Sequence, residues 1–411
     1  MTFLETAQRK LKQLAKRVPK IKLDLDPNPS AVTIYYIILI ASFVLIAAGL
    51  IMVFSASTIR AISAGESPYA AYLKNLGIMI IGVLLMIFVS RISVTWLKKS
   101  AVLLLGISLT LQSLIFTGLA VSEGGNTNWV KIPGVPFLFQ PSETLKLTLA
   151  VYLAWAFSTQ LKNRRDLKAL GLWIGLPVVA SLAMIMWGSD LGTTMIIATM
   201  VLGMLMVAGI PSKYYVYTGA TAVFLVTLAV ASKPSRLERI ISVIPGQGPE
   251  RNLAAPEQID HALWALGSGG LSGVGPGASK EKWNYLAAAH TDFIFAVLGE
   301  ELGFFGAISI ILAFACLLYG IYRLALSQTT VFERLVVTGM FSWIGAQTLV
   351  NLGAVVNLTP IIGVPLPLIS TGGTAFLATT FCLGVVLSIA RQNVGDGHSF
   401  GIRGIFRSFL S

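Results

Sequence analysis

The chain has 411 residues, of which 55% are hydrophobic and only 12% are charged. A soluble globular chain carries about 25% charged residues, and half that share cannot coat a soluble protein of this size. The composition therefore indicates a polytopic membrane protein and excludes a soluble enzyme with one aqueous core, a disordered chain and a collagen-like chain. The two cysteines, Cys316 and Cys382, both lie in apolar runs, which excludes a disulfide framework and a cysteine-based zinc site.

A helix needs roughly 20 mainly apolar residues to cross a bilayer. Ten such segments are predicted, at 33–54, 75–90, 100–121, 143–158, 169–187, 190–209, 214–231, 303–326, 333–355 and 372–390. The fold class expected is thus an all-α membrane protein of about ten transmembrane helices. The domain spans 33–392 and lies between a basic tail (1–32) and a second tail (393–411). The first span is too long for the core of a cleaved signal and reads as an uncleaved anchor. The tail before it is a surface-lying helix or a disordered arm.

Lys and Arg set the orientation. The N-terminal tail carries Arg9, Lys10, Lys12, Lys16, Arg17, Lys20 and Lys22; with ten spans the loops on that side hold Arg91, Lys98, Lys99, Lys162, Arg164, Arg165, Lys168, Lys213, Arg323 and Arg334, and the C-terminal tail adds Arg391, Arg403 and Arg407. The opposite short loops hold only Arg60, Lys74 and Lys131. Both termini are therefore expected in the cytoplasm. The net charge of +12 is mostly this asymmetry, to which attraction to anionic lipid is a sufficient answer. No nucleic-acid partner is expected.

One connection stands apart. Residues 232–302, between the seventh and eighth spans, form an outer segment of about 70 residues, and loops beyond roughly 15 residues are usually functional or disordered. It carries Arg236, Arg239, a glycine-rich run from Gly267 to Gly277, and His290-Thr291-Asp292. The glycine run fits a phosphate cradle or a flexible hinge, and it lacks the βαβ context of a nucleotide fingerprint. Asp292 precedes the apolar run Phe293–Leu298. Either Thr291 or Asp292 caps a helix there, or Asp292 is a carboxyl of raised pKa suited to general acid–base work.

Charged groups within spans are functional candidates. Gln140-Pro141-Ser142-Glu143-Thr144-Leu145-Lys146 opens the fourth span, with Glu143 and Lys146 on one helix face. They are a self-neutralising pair, the lining of a cavity for an anionic ligand, or both. Asp190 opens the sixth span as a cap or a site residue. Gln347 and Asn351, four apart, suit bonding between helices. The last outer loop, Pro365 to Thr374, reads as rigid backbone at membrane depth, which is tolerated only where it is buried or lines a cavity.

Together these segments resemble the SEDS family (shape, elongation, division and sporulation). The resemblance covers roughly 33–392. It rests on Phe139-Gln140-Pro141-Ser142-Glu143 with Lys146, Asp190-Leu191-Gly192-Thr193, Gly269-Gly270-Leu271, and His290-Thr291-Asp292-Phe293-Ile294-Phe295-Ala296 with Gly299-Glu300-Glu301-Leu302-Gly303. Asn351-Leu352-Gly353 and Leu366-Pro367-Leu368-Ile369-Ser370 with Gly372-Gly373 complete it. Met52–Ser57 and Gly299 resemble the division-type members more than the elongation-type ones. The chain departs from the family in four places. Leu286-Ala287-Ala288-Ala289 stands where Pro-Glu usually precedes the His-Thr-Asp triplet, Asn128 where Arg precedes Trp129, Thr371 where Tyr follows Ser370, and Ser189 where Pro precedes Asp190.

The resemblance implies a peptidoglycan glycosyltransferase. It would join the disaccharides of lipid II into β-1,4 glycan strands outside the cytoplasmic membrane, at the division septum. The partners implied are a class B penicillin-binding protein and other divisome membrane proteins. The triplet's acid, Asp292, is the implied general base. Lys146, Arg236, Arg239 and Lys131 are candidate leaving-group stabilisers, and the resemblance also implies a divalent cation (Mg²⁺ or Mn²⁺), for which the sequence shows no ligand spacing. Trp129 packs on a sugar, a prenyl chain or the interface belt, and Ser370 with Gly372 shapes the cavity. Gln140, Ser142, Glu143, Asp190, His290, Thr291 and Asn351 complete the substrate-binding candidates. A lipid II flippase, an elongation-type polymerase and a divisome scaffold are the competing readings.

Overall fold

The structure, a computed structural model, describes residues 29–394, apart from 64, 66, 124–125, 135–136, 162, 232–233, 242, 244–255 and 284. The basic tail before residue 29 and the tail from 395 onward lie outside the described residues.

Apolar composition and punctuation by Ser, Asp and Pro set the helices. They are α1 (Ala31–Ser63), α2 (Pro68–Val89), α3 (Val94–Ser113), α4 (Pro141–Thr159), α5 (Leu167–Trp187), α6 (Leu191–Val207), α7 (Ser212–Ala231), α8 (Pro234–Ile241), α9 (Gln258–Ser268), α10 (Ile294–Ser327), α11 (Val331–Val355) and α12 (Gly373–Val394). Pro68 and Pro141 open α2 and α4, where a missing N–H costs nothing. The Ser93 and Asp166 side chains accept backbone N–H groups at the starts of α3 and α5, as N-caps do. α5 carries a π turn over Gly171–Gly175, just ahead of Pro177, one of the known ways a helix absorbs such a break.

Among the described residues, eight helices are long and apolar enough to cross a membrane. The 17-residue α6 and the charge-bearing α4 match the other two predicted spans. The chain is thus an all-α polytopic membrane protein apart from one small hairpin. Helices α4, α11 and α12 form the interior, with buried residues on every face of α4 and α12. Helix α7 is almost wholly exposed to the surroundings. The nearly fused fifth and sixth spans are separated by a turn in which Ser189 takes φ 64°.

Two expectations are corrected. The third span, predicted to 121, ends earlier. After Phe116 the chain leaves the helix and pairs β1 (Ala120–Glu123) with β2 (Asn126–Val130) as an antiparallel hairpin. The stretch 232–302 is also not one long loop. It contains α8, α9 and the first turns of α10. Glu257 and Asp260 form a reciprocal capping box at the start of α9, which holds two otherwise orphaned N–H groups.

The glycine-rich run is bonded to helix α10 rather than free to act as a hinge. Helix α10 breaks at Gly303 (φ 68°, ψ −167°), which strands carbonyls before the break and N–H groups after it. The run 269–275 takes up these groups. Val274 and Gly275 donate N–H to the Glu300 and Glu301 carbonyls (3.0 and 3.1 Å). Phe304 and Phe305 donate to the Gly270 and Leu271 carbonyls (2.9 and 3.2 Å). The approach is so close that a Cβ on Gly269 would collide with the Gly299 carbonyl, and one on Gly273 with the Glu301 carbonyl.

Beside this seam lies a buried ion pair that the sequence reading did not identify. Lys282 Nζ sits 2.6 Å from Glu301 Oε1 and also donates to Ser55 Oγ on α1 (2.8 Å) and to the Gly277 carbonyl (2.7 Å). Glu300 accepts from Ser279 Oγ and from the Lys280 N–H. Glu300 and Glu301 therefore fasten the segment before Asp292 to α1 and α10.

Two outcomes follow for melting in detergent. Gly269→Ala forces a shift of packed backbone, and overpacking of this kind costs about 1–3 kcal/mol. Gly267→Ala, in open space on α9, leaves the melting temperature unchanged or raised. Lys282→Met strands the Glu301 carboxylate, at a cost on the order of 3–5 kcal/mol. Adding Glu301→Gln to Lys282→Met recovers most of that loss, whereas two independent defects would simply add.

Candidate active site

Helix starts and the last outer loop converge at the end of the bundle predicted to face outward. On α4, Glu143 lies in the first turn, where the helix dipole favours an acid, and Lys146 follows one turn later. Lys146 Nζ sits 2.8 Å from Glu143 Oε1 and 3.0 Å from Gln347 Oε1 on α11, over the Trp343 ring. Gln347 Oε1 also accepts from Trp343 Nε1 (2.8 Å), and Gln347 Nε2 donates to the Pro365 carbonyl (2.9 Å). Both charged side chains are only 2% exposed. The pair neutralises itself and ties α4 to α11 and to the last outer loop. Glu143 Oε2 and the Ser142 hydroxyl, both buried, find no hydrogen-bond partner among the described residues.

Asp190 caps α6, its Oδ1 accepting from the Thr193 N–H (2.8 Å), and Gln140 Nε2 lies 3.4 Å from Oδ2. Two residues on, Gly192 lets the Ile362 carbonyl approach α6 where a Cβ would clash. The stretch 361–364 is thereby seated between α6 and α11.

Asp292 occupies the turn before α10. The helix takes Phe293 as its N-cap with no side-chain cap bond, so neither Thr291 nor Asp292 caps it. The Asp292 carboxylate is half-buried and receives no hydrogen bond among the described residues. It faces a notch lined by Val350, Asn351, Ala354 and the stretch Ile361–Val364. Burial beside apolar groups, with the Asp190 carboxylate nearby, pushes its pKa up to about 6.

Other predicted residues surround this turn. Asn351 Nδ2 donates to the Asp292 carbonyl and to the Val364 carbonyl, each at 2.8 Å. Ser370 Oγ donates to the Thr291 carbonyl (2.7 Å) and accepts the Leu366 N–H (2.8 Å). The His290 carbonyl accepts from Thr371 N (3.1 Å) and from Thr371 Oγ1 (2.7 Å). The Gly372 carbonyl accepts the Phe376 N–H at the start of α12 (2.8 Å). Arg239, exposed on α8, reaches the Ile361 carbonyl (3.4 Å) at the notch. The Arg236 side chain lies outside the described residues.

Trp129 and Lys131 are not brought to Asp292. Trp129 pairs with Val121 in the hairpin, and Lys131, exposed, donates its N–H to the Leu119 carbonyl. The hairpin touches the site indirectly, since Thr127 donates to the Gly188 carbonyl (2.8 Å) two residues before Asp190. Among the described residues no group of three or more His, Cys, Asp or Glu side chains is placed to hold a metal ion. Sequence reasoning missed the part of Thr371, noted only as a departure, and the seating of the 361–364 stretch. The glycine at 192 was the available signal.

The family model FTSW_RODA_SPOVE, described as a cell cycle protein, matches residues 35–395. Stage V sporulation protein E of Bacillus subtilis is 33% identical over 364 residues, covering 87% of this chain and 97% of that protein. A probable peptidoglycan glycosyltransferase FtsW of Taylorella equigenitalis is 33% identical over 359 residues, covering 84% of this chain and 95% of that protein. A solved chain described under "structural coordination of polymerization and crosslinking by a peptidoglycan synthase complex" is 26% identical with a TM-score of 0.68. It covers 87% of this chain and 98% of its own length. The chain, matched along nearly its whole membrane domain by sequence and by fold, belongs to the FtsW/RodA/SpoVE family, the SEDS proteins.

Proposed function

We propose that this protein is a peptidoglycan glycosyltransferase that polymerises lipid II at the outer face of the cytoplasmic membrane, with Asp292 as general base. The observation that carries this reading is the Asp292 carboxylate. It is the one acid at the site left without an ion-pair or hydrogen-bond partner among the described residues, and it faces a notch. Glu143 is neutralised by Lys146, and Asp190 is committed to Thr193 and Gln140. The names of the relatives support the activity. Resemblance to sporulation and division members supports a septal role beside a class B penicillin-binding protein and other divisome proteins.

Asp292 takes the proton from the 4-hydroxyl of the acceptor GlcNAc. The oxygen then bonds to the anomeric carbon of the donor MurNAc as the bond from that carbon to the lipid diphosphate breaks. One carboxylate suffices for this single inverting displacement, while the departing diphosphate needs positive charge. Of the candidate cations whose side chains are described, Arg239 is the one on the stretch lining the notch, and Lys146 is held by its own partners. A Mg²⁺ or Mn²⁺ ion would neutralise diphosphate charge, but among the described acids of the site Asp292 is the one with neither an ion pair nor a cap to make. The described residues therefore do not fit a resident ion, and no step is assigned to one.

The test is lipid II polymerisation by purified full-length protein with its penicillin-binding partner. Asp292→Asn loses about 10²–10⁴-fold of the rate while still folding and co-purifying with the partner. Equal strand synthesis by both proteins would remove Asp292 from the chemistry. Lipid II movement between leaflets without synthesis by wild type would favour a flippase.

The pH dependence has a definite sign. A base of pKa about 6 is mostly ionised at pH 7.5 and about one-tenth ionised at pH 5, so the rate falls about tenfold between them. Stability runs the other way. The folded state holds the Asp292 proton up to about pH 6 and the unfolded chain only to about 3.8, so ionisation at neutral pH opposes folding. Asp292→Asn therefore melts no lower than wild type at pH 7.5.

A further inference from the structure

The three peptide carbonyls of His290, Thr291 and Asp292 follow one another into α10. Each is taken by a different side chain, two from the last outer loop and one from α11. Thr371 takes the first with both its N–H and its hydroxyl, Ser370 takes the second, and the Asn351 amide takes the third. The same groups also hold the last outer loop, since Ser370 Oγ accepts the Leu366 N–H and Asn351 Nδ2 donates to the Val364 carbonyl. Ser370 and Asn351 are 6% and 2% exposed, so neither presents a surface to a ligand the size of a lipid-linked disaccharide.

We infer that Asn351, Ser370 and Thr371 are positioning residues that fix the Asp292 carboxylate through its backbone, rather than residues that bind substrate. The inference rests on the reading of Asp292 as the base. The turn's own bonds converge on one atom, the Ala288 carbonyl, which accepts from the Thr291 and Phe293 N–H groups (3.0 and 3.3 Å) and the Thr291 hydroxyl (3.3 Å). Ala288 sits at φ 55°, in a region that costs a non-glycine residue energy, and no side chain caps α10. Those local bonds leave the carbonyls of 290–292 without a partner, and residues 351–371 supply one to each. It keeps the carboxylate in the notch between Phe293 and the 361–364 stretch, away from bulk water. A loosened turn would let Asp292 swing outward, gaining hydration and losing aim. Misplacement by about 1 Å costs a reacting group on the order of 10²-fold.

The charged or titratable groups around this turn are Asp190 at the start of α6, Arg239 on α8 and His290 beside Asp292, with the Glu143–Lys146 pair behind Asp190. None of them changes in the variants below.

The experiment labels the Asp292 carboxyl of full-length protein with a carbodiimide across pH 4.5–8, read by mass spectrometry of its peptide. Polymerisation kinetics run in parallel. Ser370→Ala, Asn351→Ala and Thr371→Val each remove one donor, and Thr371→Val does so with almost no change of shape. Thr371→Ser retains the hydroxyl. In the three donor-less variants the labelling midpoint falls from about 6 toward the ordinary carboxylate range by half a unit or more. The kcat drops about tenfold or more with KM for lipid II within about twofold, and Thr371→Ser stays at wild-type values. An unmoved midpoint in folded Thr371→Val and Ser370→Ala overturns the inference, as does a loss confined to KM. If midpoints move but wild type makes no strands, the grip is upheld and the polymerase reading falls.

Discussion

A polypeptide that leaves the helical ladder inside lipid must find a partner for every backbone group it frees, because hydrocarbon offers none. The half of this protein predicted to face outward is organised around two such departures, and they are met in different ways. At Gly303 the broken ladder of α10 is completed by backbone from the glycine-rich run, carbonyl to N–H on both sides of the break. At His290–Asp292 the chain bends before the helix begins, and side chains of Asn351, Ser370 and Thr371 meet the carbonyls. The first solution needs glycines, since only they allow backbone to lie on backbone. The second needs small polar side chains at fixed heights on neighbouring elements. Ten residues separate the two sites along the chain, so the short helical stretch bearing Phe293 to Leu302 is fixed at both ends.

Charge follows the same logic. Glu143 with Lys146, and Glu301 with Lys282, are buried and paired, each with a further polar contact to another helix. Breaking either pair leaves an uncompensated buried charge, whereas the intact pair contributes little net stability. Their role is to join specific helices in one arrangement, α4 to α11 and the outer segment to α1. Against that background the Asp292 carboxylate differs in having no counter-charge in contact and an opening in front of it. A group held so tightly by its backbone and so loosely by its side chain is suited to give and take a proton.

The sequence made the membrane class, the ten apolar segments and Asp292 legible, since each depends on residue type over a short window. Apolar runs report spans directly, and the eighth predicted span, starting at 303, coincides with the break at Gly303. What stayed illegible depends on distant pairing. Lys282 is one lysine in a polar stretch until Glu301 and Ser55 are placed around it. Gly267–Gly277 reads as a hinge until the carbonyls of Glu300 and Glu301 are seen to lie on it. The hairpin at 120–130 was hidden because Leu119–Val121 continues an apolar run, and hydropathy does not separate helix from strand over so few residues. The choice between cap and base at Asp292 was likewise open, because both roles favour an acid just before an apolar helix.

Two departures from the family pattern mark places where local backbone and family chemistry meet. Ser189, where a proline usually precedes the Asp-Leu-Gly-Thr segment, takes φ 64°. Proline is fixed near −65°, so the turn into α6 here is one that proline could not adopt. Asp190 nevertheless caps the helix, because its place is set from the other side by Gly192 against the Ile362 carbonyl and by the hairpin against Gly188. Thr371, where tyrosine is usual, shows the complementary case. Its hydroxyl is short enough to reach the His290 carbonyl from the same residue whose N–H does so. A tyrosine hydroxyl would lie a ring's length away, so any grip it made would fall elsewhere. In both places the placement of the acid depends on packing from neighbouring elements more than on the identity of the residue beside it.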